Sequence, residues 1–209
     1  MKRAWLFPDH CPGELFSGYD SIDYRDTIIA IDAGLEFLHQ KGIMPNLIIG
    51  DFDSLSPDLL KAYADVPLQS FPSIKNETDS ELALDWCLKN DIREIIICND
   101  LEGRFDHALA LIQNMLKAHR CNTSCRIESE RQCAFFLASH TSLPSLNGAT
   151  LSLLSWGEKA IFGFSAGLAY PLNGLELRDT LSRGLSNIIT SDECSIKLVS
   201  GTVLAIITK

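Results

Sequence analysis

The first 130 residues alternate short apolar runs with helical patterns, and this alternation limits the folds open to the chain more than any other feature. The apolar runs predict five strands, at residues 5–7, 27–32, 47–51, 68–71 and 94–98. Strands that alternate with helices typically form a parallel sheet covered by crossover helices. We therefore expect residues 1–130 to form an α/β domain that is Rossmann-like and mostly parallel.

Three helix starts can be read between and after these strands. Ser56 followed by Pro57 is an N-terminal signal, and Thr78 with Glu81 three residues later fits a capping box. After Arg104, apolar residues recur at helical spacing and predict a helix that runs to about residue 119. These apolar residues are Phe105, Leu109, Ile112 and Leu116.

Beyond about residue 130 the pattern changes to short β-rich segments separated by Gly, Asn, Ser and Pro, with no long helix. This texture is typical of all-β domains. The predicted strands are residues 132–138, 149–154, 160–164, 175–178, 195–199 and 203–208. We expect a β sandwich or partial barrel at residues 131–209, and thus a chain of two domains.

Charge and cysteine content narrow the possible partners and location. The chain has 27 acidic and 18 basic residues, a formal charge of -9, which argues against nucleic acid or an anionic membrane surface as a partner. No window approaches the roughly 18 uninterrupted apolar residues of a membrane span, and the apolar residues 4–7 are too few for a secretion signal. Seven cysteines without a Cys-x-x-Cys motif suit reduced thiols, so we expect a cytoplasmic protein.

Two carboxylates follow the apolar run at residues 47–49. In an extended strand, side chains two apart leave on the same face, so Asp51 and Asp53 are expected to project together, with Phe52 turned away. Two anions this close repel unless a cation lies between them, and Mg²⁺ is the natural candidate. Asp32 ends the preceding strand, and Asp79 lies in the first turn of a helix. We expect all four to gather on one rim of the sheet, where α/β proteins bind their ligands.

Basic groups are expected at the same rim. Lys75 precedes Asp79 by four residues, and Gly103-Arg104 follows the last strand of the first half. Glycine allows close backbone approach, arginine offers a fork for phosphate oxygens, and a helix start points amides at an anion. His107 fits either a general base or a hydrogen bond within the helix start. Together these residues indicate phosphate-handling chemistry.

Six sequence blocks resemble the thiamine pyrophosphokinase family in their order and spacing, and the resemblance covers nearly the whole chain. Four lie in the first half: Asp32-Ala33-Gly34, Pro45-Asn46-Leu47-Ile48-Ile49-Gly50-Asp51-Phe52-Asp53-Ser54, Lys75-Asn76-Glu77-Thr78-Asp79-Ser80-Glu81-Leu82-Ala83-Leu84 and Gly103-Arg104-Phe105-Asp106-His107. Two lie in the second half: Gly167-Leu168-Ala169-Tyr170-Pro171-Leu172 and Gly184-Leu185-Ser186-Asn187.

This resemblance implies transfer of the diphosphate of ATP to the hydroxyl of thiamine, giving thiamine diphosphate and AMP. It implies that Asp51, Asp53 and Asp79 are catalytic and bind Mg²⁺. The residues implied to contact ATP are Asp32, Ser54, Lys75, Thr78, Arg104 and Asp106. Ser186 and Asn187 are implied to hold thiamine, in a cleft completed by the second subunit of a homodimer. The first domain would then bind ATP and carry out catalysis, and the second would bind thiamine.

The chain departs from the family pattern at Ala33, Asn76 and Glu102. The family commonly has Gly, Asp and Gly at these positions, so the substrate assignment is more open than the reaction. Three alternatives remain: a pyrophosphokinase acting on another alcohol such as a hydroxymethyl pterin, a phosphatase with Asp51 as nucleophile, and a thiamine or nucleotide sensor without catalysis. The position two residues after Asp53 holds Leu55, where such phosphatases usually have Thr or Val.

Overall fold

The computed structural model describes residues 2–13, 16–53, 55–72 and 75–209. Ser54, one of the residues expected to contact ATP, lies outside the described residues. The chain divides into two compact units, Met1–Glu130 and Arg131–Lys209. Each unit is described by itself below.

Six parallel strands make up the sheet of the first unit. They are β1 (Arg3–Phe7), β2 (Thr27–Ile31), β3 (Leu47–Gly50), β4 (Leu68–Ser70), β5 (Glu94–Cys98) and β6 (Ser124–Glu128). Their spatial order is β6-β5-β1-β2-β3-β4, and every pair of neighbours is parallel. The direction of strand progression therefore reverses at β1, which has β2 on one side and β5 on the other. Ligand sites in open α/β sheets lie at the carboxyl ends of the strands beside such a reversal.

Burial on both faces explains why the central strands are apolar runs rather than alternating patterns. Ile95, Ile96 and Ile97 are consecutive in β5, and each is at most 1% exposed. A parallel sheet with helices on both sides leaves no strand face to water, so period-two alternation is lost. The edge strand β4 differs, because its first residue, Leu68, is 47% exposed.

Four α-helices connect these strands: α1 (Gly34–Lys41), α2 (Pro57–Ala62), α3 (Asp79–Lys89) and α4 (Phe105–Arg120). The predicted starts of α2 and α3 are confirmed, since Ser56 Oγ accepts the Leu59 N–H at 3.2 Å and Thr78 Oγ1 accepts the Glu81 N–H at 3.1 Å. Among the described residues, no helix is long and apolar enough to cross a membrane.

Three features of the first unit were not predicted from the sequence. Helix α1 and strand β6 were missed, and the predicted apolar stripe of α4 is exposed at its start and buried towards its end. Phe105 is 74% exposed and Leu109 is 39% exposed, whereas Leu116 on the same stripe is buried. The side chains of α4 that are buried are Ala108, Leu111, Asn114, Met115, Leu116 and Ala118. Helix α4 therefore packs through a broader face than the predicted stripe.

The second unit contains the remaining eight strands. They are β7 (Gln132–Phe136), β8 (His140–Pro144), β9 (Thr150–Ser155), β10 (Lys159–Ala166), β11 (Glu176–Arg178), β12 (Asn187–Ile188), β13 (Glu193–Ser200) and β14 (Val203–Thr208). One group runs β12-β9-β14-β7 and the other runs β11-β10-β13-β8, with antiparallel neighbours throughout. The predicted all-β second half is confirmed, although β8 and β12 were missed.

A single hydrophobic core joins the two strand groups of the second unit. Leu151 and Ala205 come from the first group, and Phe162 and Ile196 come from the second, and all four belong to one buried cluster. Each is at most 2% exposed. Two antiparallel sheets that share their inward-facing residues in this way have the arrangement of a β sandwich.

Gly34, the first residue of α1, provides a test of how closely this helix approaches the sheet. A Cβ at Gly34 would overlap the carbonyl of Phe7 at the end of β1. We predict that Gly34→Ala lowers the free energy of unfolding by about 2 kcal/mol, the usual cost of overpacking, as measured by urea denaturation. Gly13→Ala is the matched control, because a Cβ there meets nothing within 4 Å; equal effects of the two substitutions would contradict the prediction.

Candidate active site

A cavity of about 620 Å³ opens at the carboxyl ends of the strands β1, β2, β3 and β5 of the first unit. The first turns of α3 and α4 close its sides. The described residues that line it are Pro8, Asp9, His10, Ile31, Asp32, Ala33, Asp51, Asp53, Thr78, Asp79, Ser80, Asn99, Glu102, Arg104, His107, Ala108, Ala110, Leu111 and Asn114. Five of the residues expected to form the acidic and basic rim, together with Thr78, therefore share one cavity.

Asp32 joins the ends of β2 and β3. Its carboxylate Oδ1 accepts the backbone N–H of Asp51 at 3.2 Å, and its own N–H donates to the carbonyl of Ile49 at 3.0 Å. A Cβ at Gly50 would overlap this carboxylate, so glycine is required there by the close approach. Asp32 adopts a left-handed backbone with φ 45°, a conformation that Asp tolerates better than most residues.

The predicted extended geometry of Asp51 and Asp53 is wrong. Strand β3 ends at Gly50, and Phe52 has a left-handed φ of 62°. The Asp51 Oδ1 accepts the N–H of Asp53 at 3.3 Å, so the two residues lie in a tight turn. Phe52 is partly buried against a hydrophobic cluster. Both carboxylates still line the cavity, but the turn brings them there rather than the period of a strand.

Asp79 is held by an ion pair at the start of α3. The Nζ of Lys75 lies 2.7 Å from Asp79 Oδ1, and the two side chains are only 12% and 18% exposed. A pair this sheltered is screened less than a surface pair. Lys75 itself is outside the set of described residues that line the cavity, so it acts on the cavity through Asp79.

Arg104 stands at the mouth of the cavity, directly before α4. Its guanidinium makes a two-pronged contact with Asp106, with Nε 3.1 Å and Nη2 2.6 Å from the two carboxylate oxygens. This contact raises the pKa of Arg104 and lowers the pKa of Asp106. Both side chains are largely exposed, at 70% and 64%, so the pair adds little to stability and leaves Arg104 available to an anion. Among the described residues, Asp106 is not part of the cavity wall.

Electrostatic repulsion is concentrated at Asp32. Burial, and then the nearby charges of Asp79 and Asp51, raise the pKa of Asp32 from 3.8 to about 7. Backbone N–H groups of Asp51 and Phe52 oppose this rise without cancelling it. Because the carboxylates of the cavity rim repel one another, the rim favours a positively charged ligand.

The carboxylates fit Mg²⁺ as a partner of bound phosphates rather than as an ion caged by protein. Within the described residues, no three His, Cys, Asp or Glu side chains are close enough together to hold a metal. Mg²⁺ usually keeps several waters and is bound by one or two carboxylates plus substrate phosphates. Asp51 and Asp53, with carboxylates on one wall of the cavity, supply that kind of donor set.

The two residues expected to hold thiamine lie in the second unit. Asn187 is 6% exposed, and its side chain bonds the backbone of Tyr170 twice: Oδ1 accepts the N–H at 3.0 Å, and Nδ2 donates to the carbonyl at 2.7 Å. Ser186 has a left-handed φ of 59°, and its N–H donates to Ser152 Oγ at 3.2 Å. Asn187 thus fixes the loop at Tyr170, which leaves Tyr170 itself 69% exposed.

Five polar residues of the cavity wall are not among the site residues expected from the sequence: Asp9, His10, Ser80, Asn99 and Asn114. His10 and Asn99 follow β1 and β5, and Asn99 Nδ2 donates to the Asp9 carbonyl at 2.6 Å, which ties these two strand ends together. Asn114 has a readable signal, because it continues the helical spacing from Arg104 through His107 and Leu111.

The comparisons with known proteins agree with one another. Residues 20–127 match a family model described as "Thiamin pyrophosphokinase, catalytic domain". A thiamine pyrophosphokinase of Bacillus subtilis (strain 168) is 27% identical over 205 residues, which cover 96% of this chain and 92% of the relative. Thiamin pyrophosphokinase 1 of Caenorhabditis elegans is 23% identical over 194 residues, 85% of this chain and 77% of the relative.

Solved structures show the same fold. The crystal structure of the thiamine pyrophosphokinase from Bacillus subtilis superposes with a TM-score of 0.88 at 24% identity, covering 100% of this chain and 99% of that one. The crystal structure of the yeast thiamin pyrophosphokinase gives a TM-score of 0.81 at 15% identity, covering 100% of this chain and 86% of that one. Both cover the α/β and the all-β parts of the chain.

The raised pKa of Asp32 gives a pH prediction for the metal-free protein. Between its ordinary value of 3.8 and about 7, folded Asp32 keeps a proton that the unfolded chain has released. Stability therefore falls as pH rises through this window and is flat above it. We predict that Asp32→Asn, which cannot ionise, is more stable than the wild type by about 2 kcal/mol at about pH 8, and that the gain shrinks towards about pH 5.

Urea denaturation in the presence of a chelator measures this difference. Asp65→Asn is the control, because Asp65 is exposed and away from the cavity. A gain for Asp32→Asn that does not vary with pH would contradict the assigned protonation of Asp32.

Proposed function

The chain belongs to the thiamin pyrophosphokinase family, since the family model matches just over half of its residues, and from this premise we propose that it transfers the diphosphate of ATP to the hydroxyl of thiamine. The products are thiamine diphosphate and AMP. The single observation that carries this proposal is the cavity in which Asp32, Asp51, Asp53 and Asp79 meet Arg104 at the carboxyl edge of a parallel sheet.

The roles of the residues follow from the chemistry of the transfer. The nucleophile is a neutral alcohol, so catalysis depends on alignment and on neutralising phosphate charge. Arg104 contacts phosphate oxygens at the mouth of the cavity, and Thr78 lies at the N-terminus of α3, where amides favour anions. Lys75 holds Asp79 in place through their ion pair. A carboxylate of the acidic rim accepts the proton of the alcohol.

Mg²⁺ fits this scheme as the counter-ion of the phosphates. Asp51, Asp53 and Asp79 would either bind it, one or two of them together with phosphate oxygens, or position the metal-bound phosphates, and when bound it would neutralise charge on the transferred diphosphate. Asp32 adds its carboxylate beside them and fixes the backbone of Asp51. The remaining residues implied by the resemblance are Ser54 and Asp106 for ATP, with Asp106 acting through its contact to Arg104.

Departures from the family pattern bear on the substrate. Glu102 lines the cavity and puts a negative charge on the expected phosphate path, whereas Asn76 is exposed. Ala33 also lines the cavity. A pyrophosphokinase for another alcohol, such as a hydroxymethyl pterin, is the second candidate, because these changes leave the acidic rim complete and alter only its surroundings.

Several finer features belong to the same proposal. The reversal of strand order at β1 supports a Rossmann-like description of the first unit as the ATP-binding domain. All seven cysteines lie within described residues and none is in a disulfide, which supports a cytoplasmic protein. We propose thiamine binding by Ser186 and Asn187 in the second unit. Exposed Phe164 and Tyr170 of that unit support a homodimer, because exposed large apolar residues often mark interfaces.

The proposed reaction is tested by its products. We predict that purified protein incubated with ATP, Mg²⁺ and thiamine forms AMP and thiamine diphosphate in equal amounts, as measured by chromatography. A panel of alcohol acceptors that includes a hydroxymethyl pterin runs in parallel. Release of inorganic phosphate without AMP would favour a phosphatase, and AMP formed only with the pterin would overturn the thiamine assignment.

A substitution at Asp53 can test catalysis without disturbing the fold. Asp53 is exposed, and its hydrogen bond to Asp51 Oδ1 is made by its backbone N–H, which the substitution keeps. We predict that Asp53→Asn lowers kcat at least about 100-fold, because it removes a carboxylate that would hold the Mg²⁺ that neutralises charge on the phosphates, and leaves the midpoint of thermal unfolding unchanged. Asp58→Asn is the matched control, since Asp58 is exposed on α2 and outside the cavity. Activity of Asp53→Asn near that of the wild type would contradict the role of this carboxylate.

A further inference from the structure

Among the described residues of the first unit, two buried side-chain atoms have no hydrogen-bond partner, Thr123 Oγ1 and Asn114 Nδ2, and of these two residues Asn114 lines the cavity. Asn114 lies on α4 and is 7% exposed. Its amide Nδ2 is buried and has no hydrogen-bond partner among the described residues. An unmade hydrogen bond of this kind costs stability, so such groups in folded proteins usually serve a purpose. Asn114 also lines the cavity of the candidate active site.

The position of Asn114 along α4 indicates which part of a bound ligand this side chain would contact. Arg104, His107, Leu111 and Asn114 recur at intervals of three and four residues, so they form one face of the helix, and all four line the cavity. Ten residues separate Arg104 from Asn114, a rise of about 15 Å along the helix. If the phosphates lie at Arg104, Asn114 lies at the opposite end of an extended nucleotide.

The part of α4 that carries Asn114 is apolar on its cavity side, unlike the acidic rim. The cavity residues that precede Asn114 most closely on this helix, Ala108, Ala110 and Leu111, carry no polar side-chain atoms. Leu111 is 6% exposed and Asn114 is 7% exposed, so this part of the helix is sheltered from water. A flat heterocycle suits such a wall. The side-chain amide of Asn114 in this wall supplies one hydrogen-bond donor and one acceptor side by side. Rotation about its Cβ–Cγ bond can present either atom to a ligand.

We propose that Asn114 is the residue that recognises the base of the nucleotide, through the edge where an exocyclic amine stands beside a ring nitrogen. Asn pairs with this edge of adenine through two hydrogen bonds, one donated and one accepted. The inference rests on the proposed function, because it takes ATP as the diphosphate donor. It adds a specificity-determining residue that contacts neither phosphate nor metal.

The same pair of groups occurs in two substrates. Adenine and the pyrimidine ring of thiamine both carry an amine next to a ring nitrogen, and an amide would bind either. The position of Asn114 favours the nucleotide, because it shares its helix face with Arg104, the expected phosphate contact. The test therefore varies the two substrates separately.

The experiment compares ATP with the triphosphate of unsubstituted purine riboside, which lacks the exocyclic amine. For the wild type we expect kcat/KM to be at least about tenfold higher with ATP. Asn114→Leu has nearly the same volume but cannot form hydrogen bonds, and we expect it to bring the ratio of the two kcat/KM values close to one. The decrease in kcat/KM of Asn114→Leu with ATP should appear mainly as a higher KM for ATP. A ratio measured on one preparation does not depend on the fraction of active protein.

Further measurements distinguish a loss of base recognition from misfolding and from loss of the reaction itself. Gln113→Leu is the matched control, because Gln113 is the exposed neighbour of Asn114 and should keep the wild-type ratio. The midpoint of thermal unfolding of Asn114→Leu without ligand should equal or exceed that of the wild type, since the substitution removes an unpaired buried amide. Binding of ATP and of the amine-free analogue, measured by calorimetry, replaces the kinetic ratio if a variant is inactive.

The outcomes are distinct. Equal ratios in the wild type and Asn114→Leu would overturn the role of Asn114 while leaving the pyrophosphokinase proposal intact. A change confined to discrimination between thiamine and an analogue without the pyrimidine amine would overturn the nucleotide assignment. Failure of the wild type to form AMP from ATP would instead overturn the proposed function.

Discussion

The carboxylate of Asp32 is the contact on which the candidate active site depends. It ends β2, accepts the N–H of Asp51 after β3, and occupies the space that a side chain at Gly50 would need. This arrangement fixes the turn that carries Asp51 and Asp53 into the cavity. It also buries a negative charge among other negative charges, which is why the pKa of Asp32 rises to about 7.

Structure and function therefore make opposite demands at this edge of the sheet. Folding alone would favour fewer acids, because Asp32, Asp51 and Asp79 repel one another when no cation is present. Ligand binding favours these acids, because a cation bound with phosphates removes the repulsion among the carboxylates. Relief of this repulsion makes the free energy of binding more favourable. The strained backbone at Phe52 belongs to the same compromise, since residues in such conformations persist where the surrounding structure requires them.

Helix α4 connects the two ends of the cavity. Its first turn carries Arg104, whose fork is exposed to solvent, and its buried side carries Asn114 among apolar neighbours. A charged end and an apolar end joined by one helix face match a ligand with phosphates at one end and a base at the other. Lys75 contributes from outside the cavity wall through Asp79, so the rigid elements of the fold position the side chains at both ends.

Sequence patterns and the structure agree most where local chemistry decides the outcome. The caps at Ser56 and Thr78 were readable because an N-cap needs only a side-chain oxygen and a nearby backbone N–H. The strand at Glu94–Cys98 was found with its observed ends, because a doubly buried strand is a continuous apolar run. The turn at Phe52 was mistaken for extended backbone, because the Asp32 carboxylate that accepts the N–H of Asp51 comes from the end of a different strand.

The sequence by itself determined an α/β first half, an all-β second half and the set of acids that end the strands, because helix caps, apolar runs and motif order are local properties. Only the tertiary structure decided how much of the apolar stripe of α4 is buried, since Phe105 and Leu109 at its start are exposed while Leu116 on the same stripe is buried. It alone also brought Asn114 into the cavity and Asp32 against Gly50. These are contacts between residues far apart in the chain, and their free energies depend on packing that no short window of sequence contains.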